Sequence, residues 1–227
     1  MKIELLMGYD MRIHPKYCRD EWDTRRKSTF LLEEKTVDPL SVDTSVWPTI
    51  FEFREGTPEA PLGDISVNGR AITHTKVIVD MNYSKIDLTY ETWNSYEDMK
   101  LYLRKYNYYK DNAVPVAVII ILTEAIKKDL FSYNSLLEKT ELSEHNLPVE
   151  MSFIGYDVGD GDMISGLTNC GYTKEDKAHL NNIFQESINP YGLFDEYHDA
   201  NKFKEMTNYR VASHAPFYVY GIYSAIK

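Results

Sequence analysis

The pattern of apolar and polar positions predicts strands and loops in the first third of the chain. Residues 3–11 have the length and apolar content of a strand, and the shorter segments 28–32 and 49–53 have the same character. Prolines lie between these segments and mark loops, because proline lacks the backbone N–H that a central strand uses. This part of the chain is therefore expected to be rich in strands.

Two hairpins are predicted to follow. Asn68-Gly69 is the sharpest turn signal in the chain, since both residue types tolerate the positive φ angles of a type I′ turn. Residues 76–81 and 85–92 alternate apolar and polar side chains on either side of a polar turn. This alternation predicts a second hairpin with one face in water.

Helical periodicity begins at Ser95. Ser95 and Asp98 approximate a capping box, and apolar residues follow at intervals of three and four. Residues 114–122 form an apolar, β-branched run that predicts a buried strand, and the alternative is one continuous helix from Pro115. Thr123 is positioned to cap a helix that ends at residue 131.

The last third of the chain mixes strands and helices. Residues 150–158 predict another buried strand, and Thr173 predicts the start of an amphipathic helix that ends at Pro190. A short helix at 201–206 and a strand at 216–224 complete the pattern.

This order of elements predicts a single α+β or mixed α/β domain that spans residues 1–227. We expect a mainly antiparallel sheet, formed by the N-terminal hairpins, with several helices packed on it. A soft boundary near residues 93–95 separates the strand-rich part from the mixed part. The chain is long enough to bury a sizeable core.

Composition indicates a folded, cytoplasmic protein. Apolar residues make up 43% of the chain and aromatic residues 13%, whereas disordered chains are poor in both. The first ten residues lack the pattern of a secretory signal, and the longest apolar run is about half of the roughly 20 residues that cross a bilayer. Cys18 and Cys170 are too few for a disulfide framework. We therefore expect no association with membranes.

The net charge of −10 lies in one segment. Residues 141–200, which we call the acidic window, contain two lysines and twelve acidic residues. The twelve are Glu141, Glu144, Glu150, Asp157, Asp160, Asp162, Glu175, Asp176, Glu186, Asp195, Glu196 and Asp199. The rest of the chain is electrically balanced. This charge predicts an electrostatic role and argues against direct binding of nucleic acid, which needs clustered Lys and Arg.

The acidic window contains a Gly-Asp loop, residues 157–162. Two of its glycines match the start of a dinucleotide-binding fingerprint, but the third glycine is missing and the aspartates would repel phosphate. The spacing also fails the EF-hand pattern. A divalent cation held by some of Asp157, Asp160 and Asp162 is one alternative. The simpler one is a tight turn in which glycine permits positive φ and aspartate accepts hydrogen bonds from backbone N–H groups.

Two further features of the acidic window could carry chemistry. Cys170 precedes a predicted helix, where the pKa of a thiol is lowered, but no known signature surrounds it and a buried, inert cysteine is the simpler interpretation. Residues 194–199 contain three carboxylates, two aromatic residues and a histidine without the spacing of a helical metal site. As an exposed surface, this run suits contact with a basic protein.

These observations predict a non-catalytic acidic protein that needs no cofactor or metal and neutralises a basic protein partner. Bacterial immunity proteins, which block a cognate basic toxin such as a nuclease, share this character, and the analogy is one of class. The predicted partner surface comprises Asp157, Asp160, Asp162, Tyr172, Asp195, Glu196, Tyr197 and Asp199, with Tyr156 as a further candidate anchor. One alternative is a small cytosolic hydrolase or metal-dependent enzyme that uses the Gly-Asp loop or Cys170. The other is a scaffold protein whose charge gives only solubility.

Overall fold

The structure is a computed structural model of the 227-residue chain. It describes residues 2–13, 86–87, 92–105, 113–123, 147–161, 163, 165–167, 172–208 and 216–225.

These residues include a six-stranded antiparallel sheet. In chain order its strands are β1 (Lys2–Ile13), β2 (Ile86–Asp87), β3 (Thr92–Trp93), β4 (Ala113–Thr123), β5 (Ser152–Gly159) and β6 (Tyr218–Ser224). Across the sheet the order is β2-β3-β1-β4-β6-β5. The helices of this part of the chain are α1 (Tyr96–Lys105), α2 (Lys174–Phe184) and α3 (Tyr197–Asn208). No helix among the described residues has both the length and the apolar character needed to cross a membrane.

The central strand β4 pairs with β1 on one side and with β6 on the other. Its residues 116–122 are all buried, and none is more than 5% exposed. The even-numbered residues of this run belong to one core cluster, together with Leu5 and Tyr220, whereas Ile121 belongs to the cluster on the other face. A strand that is buried on both faces must be apolar throughout, which explains why the sequence does not alternate here.

Helices α2 and α3 pack together, and α3 lies against β5 and β6. Phe184 of α2, Phe203 of α3 and Phe194 of the connecting segment pack ring to ring, with centroids 5.5–5.6 Å apart. Each is at most 1% exposed. Burial of a phenylalanine side chain contributes about 1.5–3 kcal/mol, so this aromatic centre holds the two helices on the sheet.

Helices α1 and α2 begin at the caps that the sequence predicts. The Asp98 N–H donates to Ser95 Oγ (3.2 Å), and the Ser95 hydroxyl donates to the Asp98 carboxylate (2.8 Å). Thr173 and Asp176 form a reciprocal capping box at α2. Each cap contributes about 1 kcal/mol to helix stability. Helix α1 packs against β1 and β3, with Met99 fully buried.

The outer edge of β5 is covered by a hairpin that connects α2 to α3. Tyr156 and Phe194 exchange two backbone hydrogen bonds of 2.7 and 2.8 Å. The hairpin turns at residues 189–192, where the Gly192 N–H donates to the Asn189 carbonyl (2.9 Å) and Gly192 has a φ of 70°. Asparagine in the first position, proline in the second and glycine in the fourth is the favoured composition of a type I turn.

The Asn189 side chain holds the hairpin against β5. Its Oδ1 accepts hydrogen bonds from the N–H groups of Tyr191 (3.0 Å) and Leu193 (3.2 Å). Its Nδ2 donates to the Ile154 carbonyl (2.8 Å) and to the Asp195 carboxylate (3.1 Å). One side chain therefore closes the turn, fixes it to the sheet and orients the first residue after the hairpin.

The hairpin approaches β5 closely because residue 155 is glycine. Gly155 has a φ of 147°, a conformation that other residues rarely adopt. A β-carbon at this position would lie 2.7 Å from the Leu193 Cβ and 2.9 Å from the Asn189 Nδ2. A β-bulge interrupts the pairing of β5 with β6 at the same point.

The strands predicted at residues 3–11, 150–158 and 216–224 are confirmed as β1, β5 and β6. The run 114–122 is strand β4, so the alternative of one helix from Pro115 is wrong. The antiparallel sheet and its helices are compatible with the predicted α+β class. Among the described residues, three of the four long strands lie after residue 112, whereas the prediction built the sheet from N-terminal hairpins.

The described residues of the predicted strand at 85–92 belong to two different strands. Ile86 and Asp87 of β2 pair antiparallel with Trp93 and Thr92 of β3. Thr92 and Trp93 are fully buried, and the Thr92 hydroxyl donates to the Met7 carbonyl of β1 (3.2 Å). Trp93 pairs with Tyr9 of β1, a contact between residues distant in sequence that local alternation does not reveal.

Both C-terminal helices differ in length from their predictions. Helix α2 ends at Phe184, well before Pro190, because Ile188 leaves the helix and joins the hairpin through a β-bridge. Helix α3 extends beyond the predicted 201–206 at both ends, since its buried positions continue to Thr207.

Several predicted elements lie outside the described residues: the strands at 28–32 and 49–53, the Asn68-Gly69 hairpin, the strand at 76–81 and the helix after Thr123.

Residues 93–95, the predicted soft boundary, join β3 to α1, and both of these elements contact β1. The extent of a single domain over residues 1–227 stays a prediction.

The substitution Asn189→Ala is expected to lower the free energy of unfolding by about 2–4 kcal/mol, because it removes four hydrogen bonds and leaves backbone groups of the hairpin without partners. Unfolding in urea, followed by circular dichroism, measures the change. Asn182→Ala, at an exposed position of α2, is the control and is expected to change stability by at most about 0.5 kcal/mol. Equal losses in the two variants would contradict the role given to Asn189.

Candidate interaction surface

Residues 157–160 of the Gly-Asp loop are buried and begin a turn. Asp157 is 0% exposed, and its Oδ1 accepts hydrogen bonds from the Ser165 hydroxyl (2.8 Å) and from the Val158 N–H (2.7 Å). Ser165 Oγ accepts from the Leu167 N–H (3.1 Å), and the Gly166 N–H donates to the Val158 carbonyl (2.6 Å). A carboxylate removed from water needs such partners, so the Asp157 side chain serves the turn itself.

The residue with a positive φ in this turn is not a glycine, as the sequence predicts, but a methionine. Met163, rather than Gly159 or Gly161, has a positive φ, of 61°. The Met163 N–H donates to the Asp160 carbonyl (3.1 Å), which also accepts from the Tyr220 hydroxyl (2.7 Å). Met163 is 1% exposed and packs in the core cluster of β4. Burial of its side chain offsets the cost of the left-handed conformation, which is about 1–2 kcal/mol.

Three residues of the predicted partner surface do not lie at the surface. Asp157 and Asp160 are 0% and 7% exposed, and Tyr172 is 6% exposed. Tyr172 packs in the core cluster of α2 and α3, and the two aspartates belong to the buried turn. We correct the expectation for these three, because a buried side chain offers no surface to a partner. Asp162 and Cys170 lie outside the described residues.

The other predicted residues lie together at the start of α3. Asp195 and Glu196 are exposed, and Tyr197 and Asp199 are half-buried. We call Asp195, Glu196 and Asp199 the carboxylate run. The Asn189 side chain holds Asp195 in place, and the positive end of the α3 dipole favours negative charge here.

Four aromatic rings follow one another along the sheet and up to the carboxylate run. In the order Tyr223, Phe153, Tyr156 and Tyr197, neighbouring ring centroids are 5.3, 4.6 and 5.8 Å apart. Phe153 is 39% exposed, and the other three are half-buried. We call these four residues the aromatic strip. Contiguous, accessible aromatic area of this kind is typical of protein interfaces.

A β-bulge brings the aromatic strip together. Phe153 and Tyr156 are three positions apart, so a regular strand would direct them to opposite faces. The register of β5 shifts after Phe153, so that Phe153 pairs with Tyr223 and Tyr156 pairs with Gly221. Residues two apart in β6 share a face, and the bulge therefore places Phe153 and Tyr156 on that face together. Gly221 has no side chain, which leaves room for the rings beside it.

Charged groups border the aromatic strip. Lys2 Nζ lies over the Tyr197 ring, 3.2 Å from its centroid. Burial raises the pKa of both Tyr156 and Tyr223, and the carboxylate of Glu4 raises each pKa further. The carboxylate run also raises the pKa of Tyr156, through Glu196. Negative charge therefore lies near Tyr156 and Tyr223, and it favours a cation placed on an aromatic face there.

Other members of the acidic window have partners within the protein. Glu150 lies 3.9 Å from Lys100 Nζ, which is also 2.6 Å from Glu97, and Asp176 completes the cap of α2. In the described part of the chain, no three His, Cys, Asp or Glu side chains lie close enough together to hold a metal ion. The carboxylate run is the part of the acidic window that adjoins the aromatic strip through Tyr197.

Comparison with known proteins identifies no relative. No protein-family model, no curated protein and no solved structure matches the chain.

Sequence reasoning missed Phe153, Tyr223 and the charged residues of β1 at this surface. One local signal was available: a glycine inside a strand pattern, here Gly155, indicates a bulge that reverses the alternation of faces. The place of Tyr223 depends on the pairing of β5 with β6, whose residues are about seventy positions apart. No short-range pattern reveals that pairing.

The substitution Ser165→Ala is expected to lower the free energy of unfolding by about 1.5–3 kcal/mol, because it removes a hydrogen bond to a buried carboxylate. Urea denaturation measures the loss, and Ser152→Ala, an exposed serine of β5, is the control. Asp157→Asn and the double variant complete the test. If the two losses of unfolding free energy simply add in the double variant, the side chains of Ser165 and Asp157 do not interact, and the hydrogen bond between them is contradicted.

The stability of the fold is expected to fall at alkaline pH in part through Tyr172. Burial raises the pKa of its phenol above the ordinary value of 10.0, against an opposing effect of the Thr207 hydroxyl. The folded state then holds this proton more tightly than the unfolded state, so the contribution is complete below pH 10 and is lost as the pH rises further.

Urea unfolding between about pH 8 and about pH 11 tests this expectation, because Tyr172→Phe removes the titrating group and should make the decline in stability shallower. Tyr191→Phe, at a less buried position, is the control. Identical declines in Tyr172→Phe and in the unsubstituted protein would contradict it.

Proposed function

We propose that this protein is a non-catalytic binding protein, similar in class to bacterial immunity proteins, that neutralises a basic protein partner such as a toxin nuclease in the cytoplasm. One observation carries the proposal: the carboxylate run, in which Asp195 and Glu196 are exposed, adjoins the aromatic strip. Carboxylates attract a basic partner and speed its association, while aromatic area supplies contact at low cost in conformational entropy.

The geometry of the carboxylate run supports this proposal. Asp195 accepts a hydrogen bond from Asn189, and its own N–H donates to the Ser187 carbonyl (3.1 Å). The Glu196 carbonyl accepts the N–H of Ala200 (3.2 Å) and so begins α3. The backbone is therefore fixed before a partner arrives, and a fixed surface loses less entropy on binding than a mobile one.

A basic protein suits this surface better than a nucleic acid does. Glu4 and Glu196 both raise the pKa of Tyr156 in the aromatic strip, and their negative charge would repel phosphate groups. Arg and Lys side chains of a protein, in contrast, pair with these carboxylates. The enzyme alternative has less support, because Asp157 is buried and already accepts hydrogen bonds within its own turn.

The proposal is tested by identifying the partner and measuring its affinity. The protein is purified from its native cells at low ionic strength, the basic protein that accompanies it is identified, and the complex is rebuilt from the two purified proteins. A triple variant, Asp195→Asn with Glu196→Gln and Asp199→Asn, is expected to raise Kd about tenfold, since each exposed pair contributes about 0.5 kcal/mol. Calorimetry at about 0.05 M and about 0.5 M salt should show weaker binding at the higher concentration.

Glu175→Gln is the matched control, because it removes one negative charge from an exposed position at the start of α2. It should leave Kd within about twofold of the unsubstituted value. An affinity that the triple variant and salt do not change, or a partner that is not basic, would show that the carboxylate run is not the binding surface.

A further inference from the structure

The aromatic strip holds a cation at one end and exposes a ring in its middle. Lys2 Nζ lies 3.2 Å from the centre of the Tyr197 ring, so the protein itself places an ammonium group on this surface. Phe153, which packs between Tyr223 and Tyr156, is 39% exposed. An accessible phenyl ring between two tyrosines offers a second flat place for a cation.

Negative charge lies near the aromatic strip. Glu4 on β1 is exposed, and its carboxylate raises the pKa of both Tyr156 and Tyr223. Glu196, next to Tyr197 at the start of α3, is also exposed and raises the pKa of Tyr156. A cation that docks on the aromatic strip is therefore favoured by its surroundings as well as by the exposed ring.

We propose that the aromatic strip is the docking site for an arginine side chain of the basic partner, with its guanidinium stacked on Phe153. This inference rests on the proposed function and adds the residue type that the surface selects. The choice of arginine follows from shape. A guanidinium is planar, stacks on an aromatic face and presents a fork of N–H donors to a carboxylate, whereas an ammonium is a compact, strongly hydrated charge.

The test uses two peptides of equal charge, octa-arginine and octa-lysine, with calorimetry at about 0.1 M salt on the whole protein. Octa-arginine is expected to bind about three- to tenfold more tightly than octa-lysine. The variant Phe153→Leu keeps an apolar side chain on β5 but removes the ring, and it should reduce the arginine preference to less than about twofold.

Two control variants test whether the loss of arginine preference in Phe153→Leu is caused by loss of the ring. Val149→Ala shortens an apolar side chain that is fully exposed outside the aromatic strip, and it should leave the preference unchanged. Tyr223→Phe keeps the ring and loses only the hydroxyl, so it should also preserve the preference. Circular dichroism confirms that each variant is folded.

The outcomes distinguish this inference from the proposed function. Equal affinities for the two peptides, no binding of octa-arginine, or the same effect from Phe153→Leu and Val149→Ala would each overturn the inference. The triple variant of the carboxylate run tests the proposed function separately, because it should weaken both peptides alike. An arginine preference that persists with unchanged affinity in the triple variant would count against the acidic surface and leave the aromatic strip standing.

Discussion

The rest of the structure depends on burial of both faces of β4. Residues 116–122 have almost no contact with solvent, so apolar cover is required above and below the middle of the sheet. Along β5 and β6 one face is covered by α2 and α3 through the packed rings of Phe184, Phe194 and Phe203. The aromatic strip lies on the same face where this cover ends, and its rings shield the sheet while remaining partly accessible. The aromatic residues of the candidate surface therefore also form the edge of the hydrophobic core.

A single irregularity in β5 links the hairpin, the bulge and the aromatic strip. Gly155 lets the hairpin approach the strand, and the change of register next to it turns Phe153 and Tyr156 to one face. The hairpin in turn ends at Asp195 and starts α3, which carries Tyr197 to the end of the aromatic strip. Backbone geometry at one glycine thus positions side chains from three elements.

Elements with a strong local pattern could be predicted from the sequence. The caps at Ser95 and Thr173 predict the starts of α1 and α2, and a continuous apolar run predicts β4. These elements are predictable because each signal lies within a few neighbouring residues. Part of the surface could also be predicted, since Asp195 and Glu196 are polar residues beside a helix start and remain exposed.

The remaining features depend on partners distant in sequence or on irregular backbone. Asp157 is buried because Ser165, eight positions later, returns to meet it, and a charged residue in a glycine-rich segment otherwise indicates an exposed loop. Tyr172 is buried by the packing of α3, which follows it by more than twenty residues. The grouping of Phe153 with Tyr223 depends on both strand pairing and the bulge. Alternation along a sequence determines which face a residue takes only while the strand stays regular.

The hairpin has a consequence for how another molecule can approach this side of the sheet. An open sheet edge invites an incoming strand, which binds through its backbone with little regard to its sequence. At Tyr156 both backbone groups are already used by Phe194, so strand addition there would require the hairpin to detach. A molecule that approaches this edge at Tyr156 therefore meets side chains rather than free backbone groups, and strand addition is not the mode of contact that this part of the edge offers.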